Sequence, residues 1–135
     1  MNRSQRPLTP LELQIMKVLW DSAPCNVQTV QNRLPGKSKL AYTTVQTMLN
    51  VLHRKGRVKR ILRGRAFEYE PLLSRERAVG NALRDILDRL FGGSAEALLM
   101  SLVKNRQLDP KELKKLSKLI EDREHGKNED QHADD

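Results

Sequence analysis

Gly56 is the residue that most narrows what this chain can become. Before it, "LAYTTVQTMLNVLHRK" spaces Val45, Met48, Leu49 and Leu52 as one helical stripe, so a helix is expected over about Tyr42 to Lys55. A glycine just past such a stripe is a left-handed helix stop, and Arg54 and Lys55 in the last turn suit the negative end of the helix dipole. Beyond Gly56 the pattern changes from helical spacing to alternation. "RVKRIL" and "AFEYEP" read as two short strands with Val58, Ile61, Phe67 and Tyr69 as apolar members, and "RGR" between them is a hairpin tip whose glycine supplies the turn. A helix that stops and runs straight into a hairpin leaves few folds open.

The residues before it add two more helices. In "TPLELQIMKVLW", Thr9 can cap, Pro10 suits the first helical position, and Glu12 completes a capping box. Leu11, Ile15, Val18 and Leu19 then form one apolar face that ends at Trp20, before a turn at "DSAP". A short second helix is expected from Asn26 as cap through Val27, Val30 and Leu34, with "PGKSK" breaking it. Three helices followed by a hairpin within residues 1–73 is the order of a winged helix-turn-helix.

From Ser74 the character changes. "SRERAVGNALRDILDRLF" is a long amphipathic helix, with Ala78, Val79, Ala82, Leu83, Ile86, Leu87 and Leu90 apolar, and "GG" interrupts it. "SAEALLMSLVKN" is a second helix capped by Ser94. "DPKELKKLSKLIEDRE" is a third, with Asp109 as cap, Pro110 at its first position, and Leu113, Leu116, Leu119 and Ile120 in one stripe. Three helices over residues 74–124 bury little by themselves, so a second copy of the chain is expected to cover them. The expected dimer face consists of Leu83, Ile86, Leu87, Leu90, Leu99, Leu102, Leu116, Leu119 and Ile120. Residues 125–135, "HGKNEDQHADD", are polar and acidic and are expected to be disordered. The fold class is therefore mainly α with a small β-hairpin: an N-terminal winged helix-turn-helix and a C-terminal three-helix dimerisation domain.

Charge divides along the same line. Residues 1–73 hold 13 Lys/Arg against 4 Asp/Glu, a net of +9, whereas residues 74–135 hold 12 against 13, a net of −1. One half is a cation suited to a polyanion and the other is neutral. On the third helix, Thr43, Thr47, Asn50 and Arg54 fall at i, i+4, i+7 and i+11, opposite the apolar stripe, with Tyr42 and Thr44 beside them. Threonine is a modest helix former, so propensity does not explain the cluster. In a major groove its hydroxyl bonds phosphate or base edges, its methyl packs on thymine methyls, and Asn50 can pair with adenine. Taken alone, such a face could be merely solvated. The hairpin directly after it favours nucleic acid, because Arg57, Lys59, Arg60, Arg63 and Arg65 suit a phosphate track or a minor groove. Expected DNA-binding residues are Tyr42, Thr43, Thr44, Thr47, Asn50, Arg54, Lys59, Arg63 and Arg65.

Other function classes find less to work with. Cys25 is the only cysteine, which excludes a disulfide framework, and a buried thiol acting as a small hydrophobe is its expected role. His53, His125 and His132 are scattered, and no catalytic set, cofactor motif or metal-ligand spacing is recognisable. Neither an enzyme nor a cofactor is expected. No apolar run approaches the ~20 residues of a membrane span, and "MNRSQRPLTP" lacks the hydrophobic region of a signal peptide, so a cytoplasmic location is expected. An adaptor that binds protein would not need the +9 half. A non-specific architectural DNA binder would show the same charge with little sequence preference.

Three blocks, "LTPLELQIMKVLW", "LAYTTVQTMLNVLHRKGRVKR" and "GRAFEYEPLLSRER", resemble the penicillinase-repressor family, the BlaI/MecI type of winged-helix regulators, in order and separation over about residues 8–122. The resemblance implies a homodimeric repressor on dyad-symmetric, double-stranded operator DNA. It places the start of a recognition helix at Tyr42, Thr43, Thr44 and Thr47, and a wing at Arg63, Gly64 and Arg65. It also implies a sensor protease as a further partner. In antibiotic-responsive members the cut bond is Asn-Phe, and by register it falls at Ser101–Leu102 here, where that pair is absent. The copper-responsive branch carries a C-terminal cysteine cluster that this chain lacks.

Overall fold

The computed structural model describes residues 6–36 and 40–133. The order is α1 (Pro10–Ser22), α2 (Val27–Arg33), α3 (Tyr42–Arg54), β1 (Val58–Arg63), β2 (Ala66–Pro71), α4 (Arg75–Leu90), α5 (Ala95–Lys104) and α6 (Pro110–Ala133). This is the expected mainly α chain with one antiparallel hairpin and the element order of a winged helix. By backbone proximity it divides into two compact units, one ending at Ile86 and the other beginning at Leu87.

In the first unit α1 begins as its sequence demands. The Thr9 hydroxyl accepts from the Glu12 N–H at 3.2 Å, and the Thr9 N–H donates to Glu12 Oε1 at 2.8 Å. The same carboxylate is buried, and its Oε2 lies 3.0 Å from Lys55 Nζ at the C-cap of α3. Glu12 therefore caps one helix and ties it to the end of another. Burial pushes its pKa up, but the Thr9 backbone hydrogen bond and the Lys55 ammonium more than offset this, so the net shift is downward from 4.5.

The core of this unit is aliphatic. Ile15, Met16 and Leu19 of α1 meet Val30 of α2, Val45, Leu49 and Leu52 of α3, and Val58 and Tyr69 of the hairpin. α2 is capped by Asn26, whose Oδ1 accepts from the Thr29 N–H at 2.8 Å, and it ends at Arg33 with Leu34 buried as its C-cap. Residues 37–39 of the "PGKSK" break lie outside the described residues. The "DSAPC" turn does more than reverse the chain. Cys25 forms an isolated bridge with Tyr69, its N–H donating to Tyr69 O at 3.1 Å and its carbonyl accepting from Tyr69 N–H at 2.7 Å.

The hairpin is buried only at its base, and one expectation about it needs correction. Val58 and Tyr69 reach the core, but Ile61 and Phe67 are exposed: Ile61 lies on the opposite face of the ribbon from Val58, and Phe67 lies in its distal half. Arg57 is not a wing cation: it is 2% exposed, and its Nη2 donates to the Arg6 carbonyl at 2.6 Å. Its backbone is equally committed. The N–H donates to Leu52 O at 2.9 Å, and the carbonyl accepts from the N–H groups of Leu72 and Leu73.

α4 starts on a Ser74 cap, with Arg77 N–H donating to Ser74 Oγ at 3.1 Å. Trp20 Nε1 donates to Leu73 O at 2.9 Å, which fixes the approach to this helix. In the second unit Gly92 and Gly93, both at positive φ, turn the chain toward α5, which is capped by Ser94. Asp109 caps α6 by accepting from the Lys111 N–H at 2.9 Å. Of the tail expected to be disordered over residues 125–135, α6 takes in the residues up to Ala133, and residues 134–135 lie outside the described residues. The apolar stripe ends at Ile120, but the residues beyond include Glu, Lys, Gln and Ala, and each extension of an existing helix adds a backbone bond without a new nucleus.

Glu12→Gln tests the α1–α3 tie. Because the folded pKa of Glu12 is lowered, its contribution is full above its unfolded value and is lost as pH falls through the folded value. The variant is expected to be less stable at pH 7 by about 1–3 kcal/mol. In denaturant titrations that gap should close as pH drops below 4.5.

Candidate nucleic-acid interface

α3 buries Val45, Leu49 and Leu52 and leaves its other side open. Thr43, Thr47, Asn50 and Arg54 are exposed along that side, as is Tyr42 at the first turn, while Thr44 is half-buried. The residues expected to read DNA on this helix thus lie together, apart from Thr44, which turns partly toward the interior.

The hairpin register sorts the cations. Val58, Arg60 and Leu62 stand opposite Pro71, Tyr69 and Phe67, and this face continues from the core. Lys59, Ile61 and Arg63 stand opposite Glu70, Glu68 and Ala66 on the other face. There Lys59 Nζ lies 3.1 Å from Glu70 Oε2, and Arg63 Nε lies 3.5 Å from Glu68 Oε1. Two of the three expected hairpin cations, Lys59 and Arg63, are therefore already paired within the hairpin. Gly64, at φ +64°, takes the left-handed position of the two-residue loop, which leaves Arg65 exposed at the tip. Among the described residues, Arg54, Arg60 and Arg65 have no carboxylate partner.

Arg60, read in the sequence only as one of the hairpin's five cations, joins the hairpin to α3. Its Nη1 donates to Asn50 Oδ1 at 3.3 Å, and its guanidinium carbon stands 4.3 Å from the Phe67 ring centroid. The available signal was parity: Arg60 lies two positions from Val58 on a strand whose Val58 side is buried.

The expected dimer residues can be placed one unit at a time. Leu83 and Ile86 in the first unit, and Leu90, Leu99, Leu116, Leu119 and Ile120 in the second, are exposed, whereas Leu87 and Leu102 are half-buried. Neither α4 nor α5 has a buried residue. The Ser101–Leu102 bond lies inside α5. Ser101 O accepts from the Asn105 backbone N–H at 3.0 Å and from its side-chain amide at 2.9 Å, and Leu102 O accepts from Gln107 N–H at 2.9 Å.

Cys25 is 2% exposed, with Sγ 3.3 Å from Ser22 O. Burial pushes its thiol above 9.0, Arg33 pulls it down in part, and Glu68 pushes it up. This keeps the group protonated near neutrality. His53 is half-buried on α3. Among the described residues, no cluster of His, Cys, Asp and Glu could hold a metal ion, and no helix is long and apolar enough to cross a membrane.

Known proteins supply a comparison. Residues 8–122 match the family described as "Penicillinase repressor". The chain is 28% identical over 122 residues to the penicillinase repressor of Bacillus licheniformis, covering 90% of this chain and 95% of that protein. It is 36% identical over 98 residues to the transcriptional regulator BlaI of Mycobacterium tuberculosis, 71% of each. A solution structure of the DNA binding domain of the repressor BlaI is similar at 33% identity, with TM-score 0.47 over 52% of this chain and 85% of that one.

The charge sorting makes a prediction in two parts. Arg65→Ala should weaken binding to all DNA sequences and flatten the slope of log K against log salt by about one. Glu68→Gln frees Arg63 from its partner and should tighten binding and steepen the slope. Fluorescence anisotropy across a salt series checks both.

Proposed function

Because the chain belongs to the penicillinase repressor family, we propose that it is a DNA-binding transcriptional repressor acting as a homodimer on a dyad-symmetric operator. The observation that carries this reading is the exposed Thr43, Thr47, Asn50 and Arg54 face of α3 beside the basic hairpin. α3 enters the major groove, its threonines and the amide reading base edges. Arg65 at the hairpin tip holds phosphate or the minor groove. Repression follows from steric exclusion of polymerase where operator and promoter overlap, in the cytoplasm. The Bacillus licheniformis and Mycobacterium tuberculosis relatives carry the names of a repressor and a regulator, not of enzymes.

Dimerisation through α4, α5 and α6 is supported by their exposed leucines and isoleucines. Helices without buried residues stay stable mainly by packing an amphipathic face, and a second copy presents the same face around a two-fold axis. Two hairpins and two α3 helices then meet two half-sites whose spacing the dimer sets.

Induction by a sensor protease at Ser101–Leu102 has less support. The bond lacks the Asn-Phe pair, and its carbonyls are engaged within and just after α5, so a protease would first have to unwind that helix.

Binding to the intergenic DNA upstream of the protein's own coding sequence, with scrambled DNA of equal length as the comparison, tests the function. A preference of about a thousandfold or more is expected for a sequence-specific regulator. Equal binding to both would leave an architectural DNA binder, and binding to neither would remove DNA as the partner. Leu90→Asp tests the dimer. Sedimentation should shift toward monomer, and operator affinity should fall at protein concentrations where the wild type is dimeric.

A further inference from the structure

Arg60 is placed unlike the other basic residues of the hairpin. Lys59 and Arg63 spend their charge on Glu70 and Glu68, Arg57 is buried, and Arg65 projects from the tip. Arg60 faces α3 instead, opposite Tyr69 in the register, and it has no carboxylate partner among the described residues. Two groups hold it. The Phe67 ring lies against its guanidinium at 4.3 Å, and Asn50 Oδ1 accepts from Nη1 at 3.3 Å.

A guanidinium has five N–H donors in a rigid planar fork. One is used by Asn50, and the stacked ring takes a face of the plane without consuming donors, so an edge of the fork is left at the seam between α3 and the hairpin. Asn50 belongs to the exposed face of α3, which puts that edge beside the helix face assigned to the major groove. An arginine presenting two parallel donors matches O6 and N7 of guanine, the commonest specific side-chain contact in that groove. The restraint also matters energetically, because a side chain already stacked and bonded loses less rotamer freedom on binding than a free arginine does.

We infer that Arg60 is a base-reading residue for guanine in the operator, and that Phe67 and Asn50 position it. This rests on the DNA-binding reading above and changes the assignment within it. Asn50 Oδ1 is engaged by Arg60, so Asn50 orients the arginine instead of pairing with adenine. The lysine that would conserve charge at position 60 can neither stack as a plane nor donate in a fork. Charge alone is therefore not what the site uses.

The experiment begins by selecting a duplex from a randomised library with the wild-type protein. Each guanine of that duplex is then replaced singly by 7-deazaguanine, which lacks the N7 acceptor. Wild type should lose affinity at one guanine per half-site. Arg60→Lys should lower the ratio of affinity for selected over scrambled DNA by about ten- to a hundredfold, and the 7-deazaguanine at that position should then cause no further loss. The salt slope should stay unchanged, since the charge is kept. Phe67→Leu, a volume-similar change at an exposed position, should reduce the ratio in the same direction at the same guanine. Thermal melts establish that both variants are folded.

An Arg60→Lys protein that keeps the wild-type ratio, or one that loses affinity equally for selected and scrambled DNA, overturns the assignment, the latter making Arg60 a phosphate contact. If the wild type enriches no sequence at all, the DNA-reading function itself fails, which is distinguishable from failure at Arg60 alone.

Discussion

Two backbone hydrogen bonds between Cys25 and Tyr69 are the constraint on which the geometry of the first unit rests. A two-stranded hairpin is marginal in water by itself, and here its distal half is uncovered. What gives it a fixed direction is its base. Tyr69 is buried, the connection between α1 and α2 pairs with β2 through Cys25, and the Arg57 carbonyl collects the N–H groups of Leu72 and Leu73 just after the strand. Gly56 then sets how α3 turns into β1, and the Glu12–Lys55 pair holds the end of α3 against the start of α1. The exposed face of α3 and the basic hairpin therefore belong to one rigid corner, not to two mobile pieces.

Within that corner, the number of cations is a poor guide to the charge available to a partner. Lys55 is committed to Glu12, Arg57 to the Arg6 carbonyl, and Lys59 and Arg63 to cross-strand glutamates. The paired residues keep the hairpin extended and discourage edge pairing. Among the described residues of α3 and the hairpin, what remains for a polyanion is narrower and better aimed: Arg54 on α3, Arg65 at the tip, and Arg60 at the seam between the two elements. Ion pairs at the surface exchange readily, so Lys59 and Arg63 are a reserve that contact with phosphate can recruit.

The second unit presents a different physical situation. α5 has no buried residue, and the apolar residues of α6 at positions 116, 119 and 120 are exposed. Capping by Ser94 and Asp109 defines where these helices begin, but capping contributes only about 1 kcal/mol and does not hold helices together. Exposed apolar residues gathered on short helices suit an interface, and the proposed second copy meets that need with the chain's own surface.

Much of this was legible in the sequence because the relevant physics is local. The Thr9–Glu12 capping box, the Asn26, Ser94 and Asp109 caps, the Gly56 stop and the Arg-Gly-Arg turn act over three or four residues, and each appears where its spacing says it should. The apolar stripe of α3 likewise defined its opposite face. The extension of α6 past Glu124 went unread because the expectation followed hydrophobicity, whereas helix propagation follows backbone bonding. Tertiary structure alone decided that Ile61 and Phe67 stay outside the core, that Arg57 goes in, and that Cys25 pairs with Tyr69. It also decided that Asn50 is the residue Arg60 meets on α3, although strand parity already put Arg60 on the Val58 face. These outcomes depend on contacts between residues distant in the chain, where a residue's role is set by what lies opposite it, and spacing along one strand or helix does not carry that information.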